Sequence, residues 1–81
     1  MTQDDAIAAI LDALAEVAPE ADPARLDADA PIQDQVDLDS MDFLALIEAV
    51  RARTGIDVPE SDYRRLATIA DGARYLAART A

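Results

Sequence analysis

Apolar residues recur at intervals of three and four along two segments of this chain. In the first segment they are Ile7, Ile10, Leu11, Leu14 and Ala18, and in the second Phe43, Leu46, Ile47 and Val50. This spacing places each set on one face of an α-helix. Alanine supplies much of the 52% apolar content, and aromatic residues make up only 4%. Both facts favour closely packed helices over a sheet, because alanine is the best helix former and a poor strand former.

Hydroxyl and acidic side chains mark where the helices begin. Thr2 with Asp5, and Thr68 with Asp71, have the spacing of capping boxes. Gly55 provides a helix stop, because glycine adopts positive φ without strain. The predicted helices run from Thr2 to near Pro19, from Asp39 or Ser40 to Thr54, from Pro59 to Leu66 as a short helix, and from Thr68 to about Arg79.

The stretch between the first two helices contains prolines and six aspartates, from Pro19 to Asp39. Prolines at this density interrupt any helix longer than a turn. Four large apolar residues nevertheless occur in it: Leu26, Ile32, Val36 and Leu38. We therefore expect an ordered crossover that packs on the core. The predicted fold is all-α: one domain, 1–81, forming a small antiparallel bundle of three main helices and one short helix with a long first crossover.

Composition excludes several classes of function. The net charge of -10 disfavours binding to nucleic acids and suits basic surfaces on protein partners. The chain has no cysteine, histidine or lysine, so a self-contained enzyme is disfavoured. No apolar run approaches the roughly 20 residues of a membrane span. A secretory signal begins with a basic segment, whereas the N-terminus of this chain is acidic. We therefore expect a cytoplasmic protein.

Ser40 stands between Asp39 and Met41 at the predicted start of the second helix. Serine at this position is a favourable cap, and we expect Ser40 to act as one. Helical phasing places Met41 and Leu44 away from the apolar stripe that faces the core. We predict a docking surface there, formed by this apolar pair and a rim of acids: Asp39, Asp42 and Glu48.

Asp39-Ser40-Met41 resembles the Asp-Ser-Leu attachment motif of acyl carrier proteins. The similarity extends, without an insertion, through Leu46, Val50, Val58-Pro59, Leu66, Thr68, Ile69 and Tyr75-Leu76. It implies that a 4′-phosphopantetheine arm is esterified to Ser40, flanked by Asp39 and Met41, and that its thiol carries an acyl group. It also implies a monomer without catalytic activity, a phosphopantetheinyl transferase as partner, and acyl-transferring or condensing enzymes with basic docking patches. The implied acyl pocket comprises Phe43, Leu46, Ile47, Val50, Ile69 and Gly72.

The sequence departs from the family pattern in three respects. The segment before the serine, 34–40, reads DQVDLDS and differs from the usual Leu-Gly-hydrophobic-Asp-Ser lead-in. Positions where acids are common on the second helix carry Ala45, Arg51, Ala52 and Arg53 instead. This leaves open which pathway and partners the chain serves. Phe43 stands where the family usually has a smaller residue, and Gly72 is a glycine inside a helix. These two residues indicate either a shortened acyl pocket or an exchange of side-chain volume between the two positions that keeps the packing density constant.

Two other functions were compared with the carrier hypothesis. The chain is alternatively a non-enzymatic helical interaction module in which Ser40 serves only as a cap. A calcium-binding loop starting at Asp37 would place Met41 where an oxygen ligand is needed and Asp42 where glycine is needed. That pattern argues against calcium.

Overall fold

The computed structural model describes residues 1–80, which fold into helices joined by short connections. The α-helices are α1 (Gln3–Val17), α2 (Ile32–Gln35), α3 (Ser40–Thr54) and α4 (Ile69–Arg79), and 3-10 helices cover Pro23–Arg25 and Glu60–Leu66. Helices α1, α3 and α4 are the three main helices that the sequence predicts, and the 3-10 helix at Glu60–Leu66 is the short one. The predicted all-α fold is confirmed.

The predicted capping boxes form fully at α1 and in part at α4. At α1 the Asp5 N–H donates to the Thr2 hydroxyl and the Thr2 N–H donates to the Asp5 carboxylate, both over 3.1 Å. At α4 only half of the predicted box forms. The Asp71 N–H donates to the Thr68 hydroxyl over 3.0 Å, but the Asp71 carboxylate accepts a hydrogen bond from Arg74 instead of the Thr68 N–H. Gly55 ends α3 with φ of 72°, in the left-handed region.

The core lies between α1 and the two later long helices. Helix α1 packs against both α3 and α4, and α4 also packs against the 3-10 helix at Glu60–Leu66. Leu46, Ile47 and Val50 of the predicted stripe are buried, whereas Phe43 is half-buried at its edge. Other large core residues are Ile10, Leu14, Ile32, Leu66, Ile69, Tyr75 and Leu76.

The crossover is ordered, as predicted. Ile32, Val36 and Leu38 are buried in the core, and Leu26 packs against it while remaining partly exposed. Backbone hydrogen bonds join this segment to the chain around the start of α4: the Ile32 N–H donates to the Ala67 carbonyl over 2.8 Å, and the Ala70 N–H donates to the Ala28 carbonyl over 2.9 Å. The apolar residues and these bonds together fix the direction in which the chain enters α3.

A side-chain clamp holds the crossover together internally. The Gln35 amide nitrogen donates to the carbonyls of Asp27 and Ala30, over 2.8 and 3.1 Å. The Gln35 side-chain oxygen accepts from the Asp27 N–H over 2.6 Å. One amide therefore satisfies three backbone groups that a proline-rich segment cannot pair within a regular helix.

Gly72 lies where α4 packs against Ile10 of α1 and Leu66 of the 3-10 helix. A Cβ atom built at this position would be 3.0 Å from Ile10 Cδ1 of α1 and 3.6 Å from Leu66 Cα. The missing side chain thus allows the helices to approach, which offsets the roughly 1 kcal/mol that glycine costs in a helix relative to alanine.

Candidate functional site

The start of α3 is capped by Asp39 and not by Ser40, so the predicted role of Ser40 as cap is wrong. Asp39 has an extended backbone, with φ of −83° and ψ of −176°, and its carboxylate accepts from the Asp42 N–H over 2.8 Å. The Asp42 carboxylate in turn accepts from the Asp39 N–H over 3.3 Å. A carboxylate at this position also interacts favourably with the positive end of the helix dipole, which gives Asp39 the advantage over serine as the capping group.

Ser40 is consequently the first residue of α3, with its side chain exposed. No hydrogen bond joins its hydroxyl to another residue within the described range 1–80. A large group can therefore be attached to this oxygen without displacing a packed side chain or a helix cap. A phosphodiester on Ser40 would also lie at a helix N-terminus, where the dipole and the terminal N–H groups favour negative charge. These features fit a phosphate-linked prosthetic group.

Exposed apolar side chains follow Ser40 on the same helix. Met41 is 74% exposed and Leu44 is 39% exposed. Asp39 and Glu48 are exposed beside them, and Asp42 is half-buried. Met41 thus faces solvent as phasing predicts, while Leu44 is partly covered. This group of five residues at the start of α3 is called the docking face below.

The two arginines of α3 that depart from the family pattern are each matched by an acid. The Arg51 guanidinium lies 2.6 Å from the carboxylate of Asp57, and the Arg53 guanidinium lies 2.6 Å from the carboxylate of Glu16. The Arg51–Asp57 pair is largely exposed and the Arg53–Glu16 pair is partly exposed, so neither contributes much to stability. They nevertheless neutralise the positive charge at the end of α3, so that the docking face remains acidic.

The residues implied as an acyl pocket lie in the core or at its edge. Leu46, Ile47, Val50 and Ile69 belong to the buried core, against which Phe43 packs. Gly72 is buried beside Ile10 and Leu66. Most of the set lies on α3, whereas Ile69 and Gly72 belong to α4, and both helices pack chiefly on α1.

A charged cluster on α4 was not among the predicted sites. The Tyr75 hydroxyl donates to the Asp62 carboxylate over 2.8 Å, and the Arg79 guanidinium donates to the same oxygen over 3.0 Å. The bond from Tyr75, with a further contribution from Arg79, holds the pKa of Asp62 below its usual value. Burial and the neighbouring Asp62 carboxylate raise the pKa of Tyr75. Tyr75 and Arg79 are four residues apart on one helix, a spacing that is visible in the sequence.

Residues 1–80 offer neither a metal-binding cluster nor a membrane-spanning helix. Those residues contain no group of three or more acidic, histidine or cysteine side chains placed to hold a metal ion. In the same range, each helix is too short or too polar to cross a membrane.

Comparison with known proteins identifies the family of the chain. Residues 8–76 match the family described as "Phosphopantetheine attachment site". The chain is also 33% identical over 55 residues to an acyl carrier protein of Bdellovibrio bacteriovorus, an alignment that covers 68% of this chain and 70% of that protein. The prosthetic group of the family is a covalently attached 4′-phosphopantetheine. The chain therefore belongs to the acyl carrier protein family and functions as a carrier of this group.

Proposed function

We propose that Ser40 is the residue to which 4′-phosphopantetheine is attached, and that the chain presents acyl groups to the enzymes of fatty-acid, polyketide or related biosynthesis. The observation that carries this proposal is the exposed Ser40 hydroxyl at the first position of α3, with Asp39 performing the capping role. Ser61, the other serine of the chain, lies in a 3-10 helix and lacks the preceding extended aspartate cap.

The attachment chemistry requires little of the chain itself. The Ser40 oxygen forms a bond to the β-phosphorus of coenzyme A, and the bond from that phosphorus to the adenosine bisphosphate part breaks. The hydroxyl proton passes to a base of the transferase, because the chain contains no histidine, cysteine or lysine. When bound, the arm supplies the thiol that carries the acyl group as a thioester. The chain acts as a carrier without catalytic activity of its own.

The docking face supplies the contacts for partner enzymes. Met41 offers apolar surface that a partner can bury, and Leu44 adds to it. Asp39, Asp42 and Glu48 attract a basic patch and orient it around Ser40. The partners proposed are a phosphopantetheinyl transferase and acyl-transferring or condensing enzymes with such patches. We place the chain in the cytoplasm as a monomer with a single domain.

The acyl chain is proposed to enter the core beside α3. Leu46, Ile47, Val50 and Ile69 supply the apolar lining, and movement of these side chains would make the necessary space. Phe43 is proposed to shorten this pocket by its bulk, and Gly72 by allowing Ile10 and Leu66 to lie close to α4.

Intact mass after incubation with coenzyme A and a broad-specificity transferase tests the attachment site. Wild-type protein and Ser61→Ala should each gain the mass of one arm, whereas Ser40→Ala should gain none. Ser40→Ala should melt within a few degrees of wild type, because it removes an exposed side chain and no hydrogen bond. Addition to a folded Ser40→Ala variant, or no addition to folded wild type, would overturn the assignment.

The same experiment separates the carrier from a helical interaction module. If Ser40 had only a structural role, Ser40→Ala would lower stability and wild type would remain unmodified. Intact mass of protein purified from its native host, with thioesters preserved, then identifies the acyl group and hence the class of pathway.

A further inference from the structure

Arginines are concentrated on one face of this acidic protein. Arg64 and Arg65 of the 3-10 helix, together with Arg74 and Arg79 of α4, line a single open cleft. These are four of the seven basic residues in the chain. We call these four residues the arginine face. The remaining residues that line the cleft are Asp62, Asp71, Tyr75 and Ala78.

The arginine face carries more positive charge than its own acids neutralise. Arg74 pairs with Asp71, and Arg79 pairs with Asp62. Within residues 1–80, neither Arg64 nor Arg65 forms a salt bridge. Each of the other five arginines has a carboxylate partner in that range. In a chain with seventeen acids and seven arginines, two neighbouring cations without a partner are the exception.

Part of the arginine face is held in place by its neighbours. The guanidinium of Arg65 lies 5.5 Å from the centre of the Tyr75 ring, and that of Arg79 lies 4.7 Å from it. The ring is itself fixed, because it is buried and its hydroxyl donates to Asp62. Side chains restrained in this way lose less conformational entropy when they bind a ligand.

The arginine face and the docking face lie on different helices. Helix α1 packs against both α3 and α4 more extensively than α3 and α4 pack against each other. The residues around Ser40 belong to α3, whereas the arginines belong to α4 and the 3-10 helix before it. A molecule bound to the arginine face therefore contacts elements other than the one that carries Ser40.

We propose that the arginine face binds a carboxylate-rich segment of a partner protein. Arg64 and Arg65 pair with carboxylates of that segment, and the exposed cleft accommodates its backbone. Asp62 and Asp71 also line the cleft, but each is already paired with an arginine, so Arg64 and Arg65 are the cations left to pair with the carboxylates of the segment. The inference does not rest on the attachment of an arm to Ser40.

A titration of the full ¹⁵N-labelled chain with a hexaglutamate peptide at low salt tests this binding. We expect saturable NMR shift changes at Arg64, Arg65 and Tyr75, and smaller ones on α3. The variant Arg64→Gln/Arg65→Gln should bind the peptide about fivefold more weakly, which corresponds to about 0.5 kcal/mol for each exposed pair. Arg25→Gln/Arg51→Gln removes the same charge elsewhere and should bind like wild type.

Equal weakening by the two double variants would show a general effect of net charge and overturn the proposal. Absence of saturable binding to wild type would do the same. If inorganic phosphate at equal ionic strength shifts the same resonances and saturates, the face is a site for small anions and not for an acidic segment. If circular dichroism shows that the double variant is unfolded, Arg64→Gln alone replaces it in the titration. This single variant should bind the peptide about twofold more weakly than wild type.

Discussion

Truncation of residues along α3 should separate those that build the core from those proposed to bind partners. Leu46 is 1% exposed and lies in the buried cluster that α1 and α3 share. Leu46→Ala should destabilise the protein by about 2–5 kcal/mol, since it removes buried methyl groups and leaves a cavity. For a domain of this size the melting temperature falls by about 4–8 °C for each kcal/mol. The expected decrease is therefore at least about 8 °C.

Met41 provides the opposite case on the same helix. Its side chain is 74% exposed, so truncation removes little buried surface. Alanine is also a better helix former, and Met41→Ala should change stability by no more than about 0.5 kcal/mol. Leu44 is 39% exposed and partly covered, so Leu44→Ala should cost about 1 kcal/mol. This partial burial makes Leu44 a less clean test of docking than Met41.

Thermal unfolding by circular dichroism and the initial rate of arm attachment should be measured for all three variants. The rate is measured well below the lowest melting temperature, so that each variant is folded. We expect Met41→Ala to slow attachment severalfold with an unchanged melting temperature, and Leu46→Ala to lower the melting temperature with little effect on the rate. If Met41→Ala is modified as fast as wild type, the transferase does not use the docking face. If Met41→Ala lowers the melting temperature as much as Leu46→Ala does, the assignment of Met41 to the exposed side of α3 and of Leu46 to the core side is wrong.

Four other outcomes are expected from particular contacts. Gly72→Ala should be nearly neutral in wild type but stabilising by about 1 kcal/mol in an Ile10→Val background, because valine lacks the Cδ1 atom that lies 3.0 Å from the new Cβ. Chemical denaturation of wild type, the two single variants and the double variant measures this difference. Asp39→Ala should cost about 1 kcal/mol in the same assay, because it removes the cap of α3. The hydrogen bond from Tyr75, and then that from Arg79, lowers the pKa of Asp62 in the folded protein. The contribution of Asp62 to the free energy of unfolding is therefore present above the usual aspartate pKa near 4 and is lost as pH falls through the lower pKa of the folded state. The melting-temperature difference between wild type and Asp62→Asn should therefore be largest at neutral pH and shrink below about pH 4. The wild-type melting temperature should also rise as sodium chloride increases from millimolar to a few hundred millimolar, because salt screens the repulsion that arises from the net charge of -10.

Helix positions were predictable because local signals and apolar periodicity agreed along the long helices. The Thr2 and Asp5 box, the stripe of α3 and the positive φ at Gly55 all follow from interactions between residues close in sequence. The crossover was predictable only as an ordered segment. Its hydrogen bonds from Ile32 and Ala70 join residues far apart in the chain, and no local pattern specifies such pairs.

The site was less fully predictable than the fold. The position of Ser40 at a helix start was evident from the sequence, but the choice between Asp39 and Ser40 as cap depends on backbone angles. Both residue types are good caps, and the extended conformation falls on Asp39. The exposed fraction of Leu44 likewise depends on how closely the neighbouring segments approach α3. The arginine face was missed because its members come from two elements that only the tertiary fold places together.

The position of the cap matters for how the carrier tolerates its arm. If the Ser40 hydroxyl capped α3, esterification would replace it with a phosphodiester oxygen held in a bulky group, and the helix would lose a bond that contributes about 1 kcal/mol. Asp39 and Asp42 instead exchange the capping bonds between themselves, and neither bond involves the Ser40 oxygen. Attachment of the arm at Ser40, as proposed, would therefore leave the start of α3 intact. The helix that carries Met41 and Leu44 would then keep its geometry before and after modification.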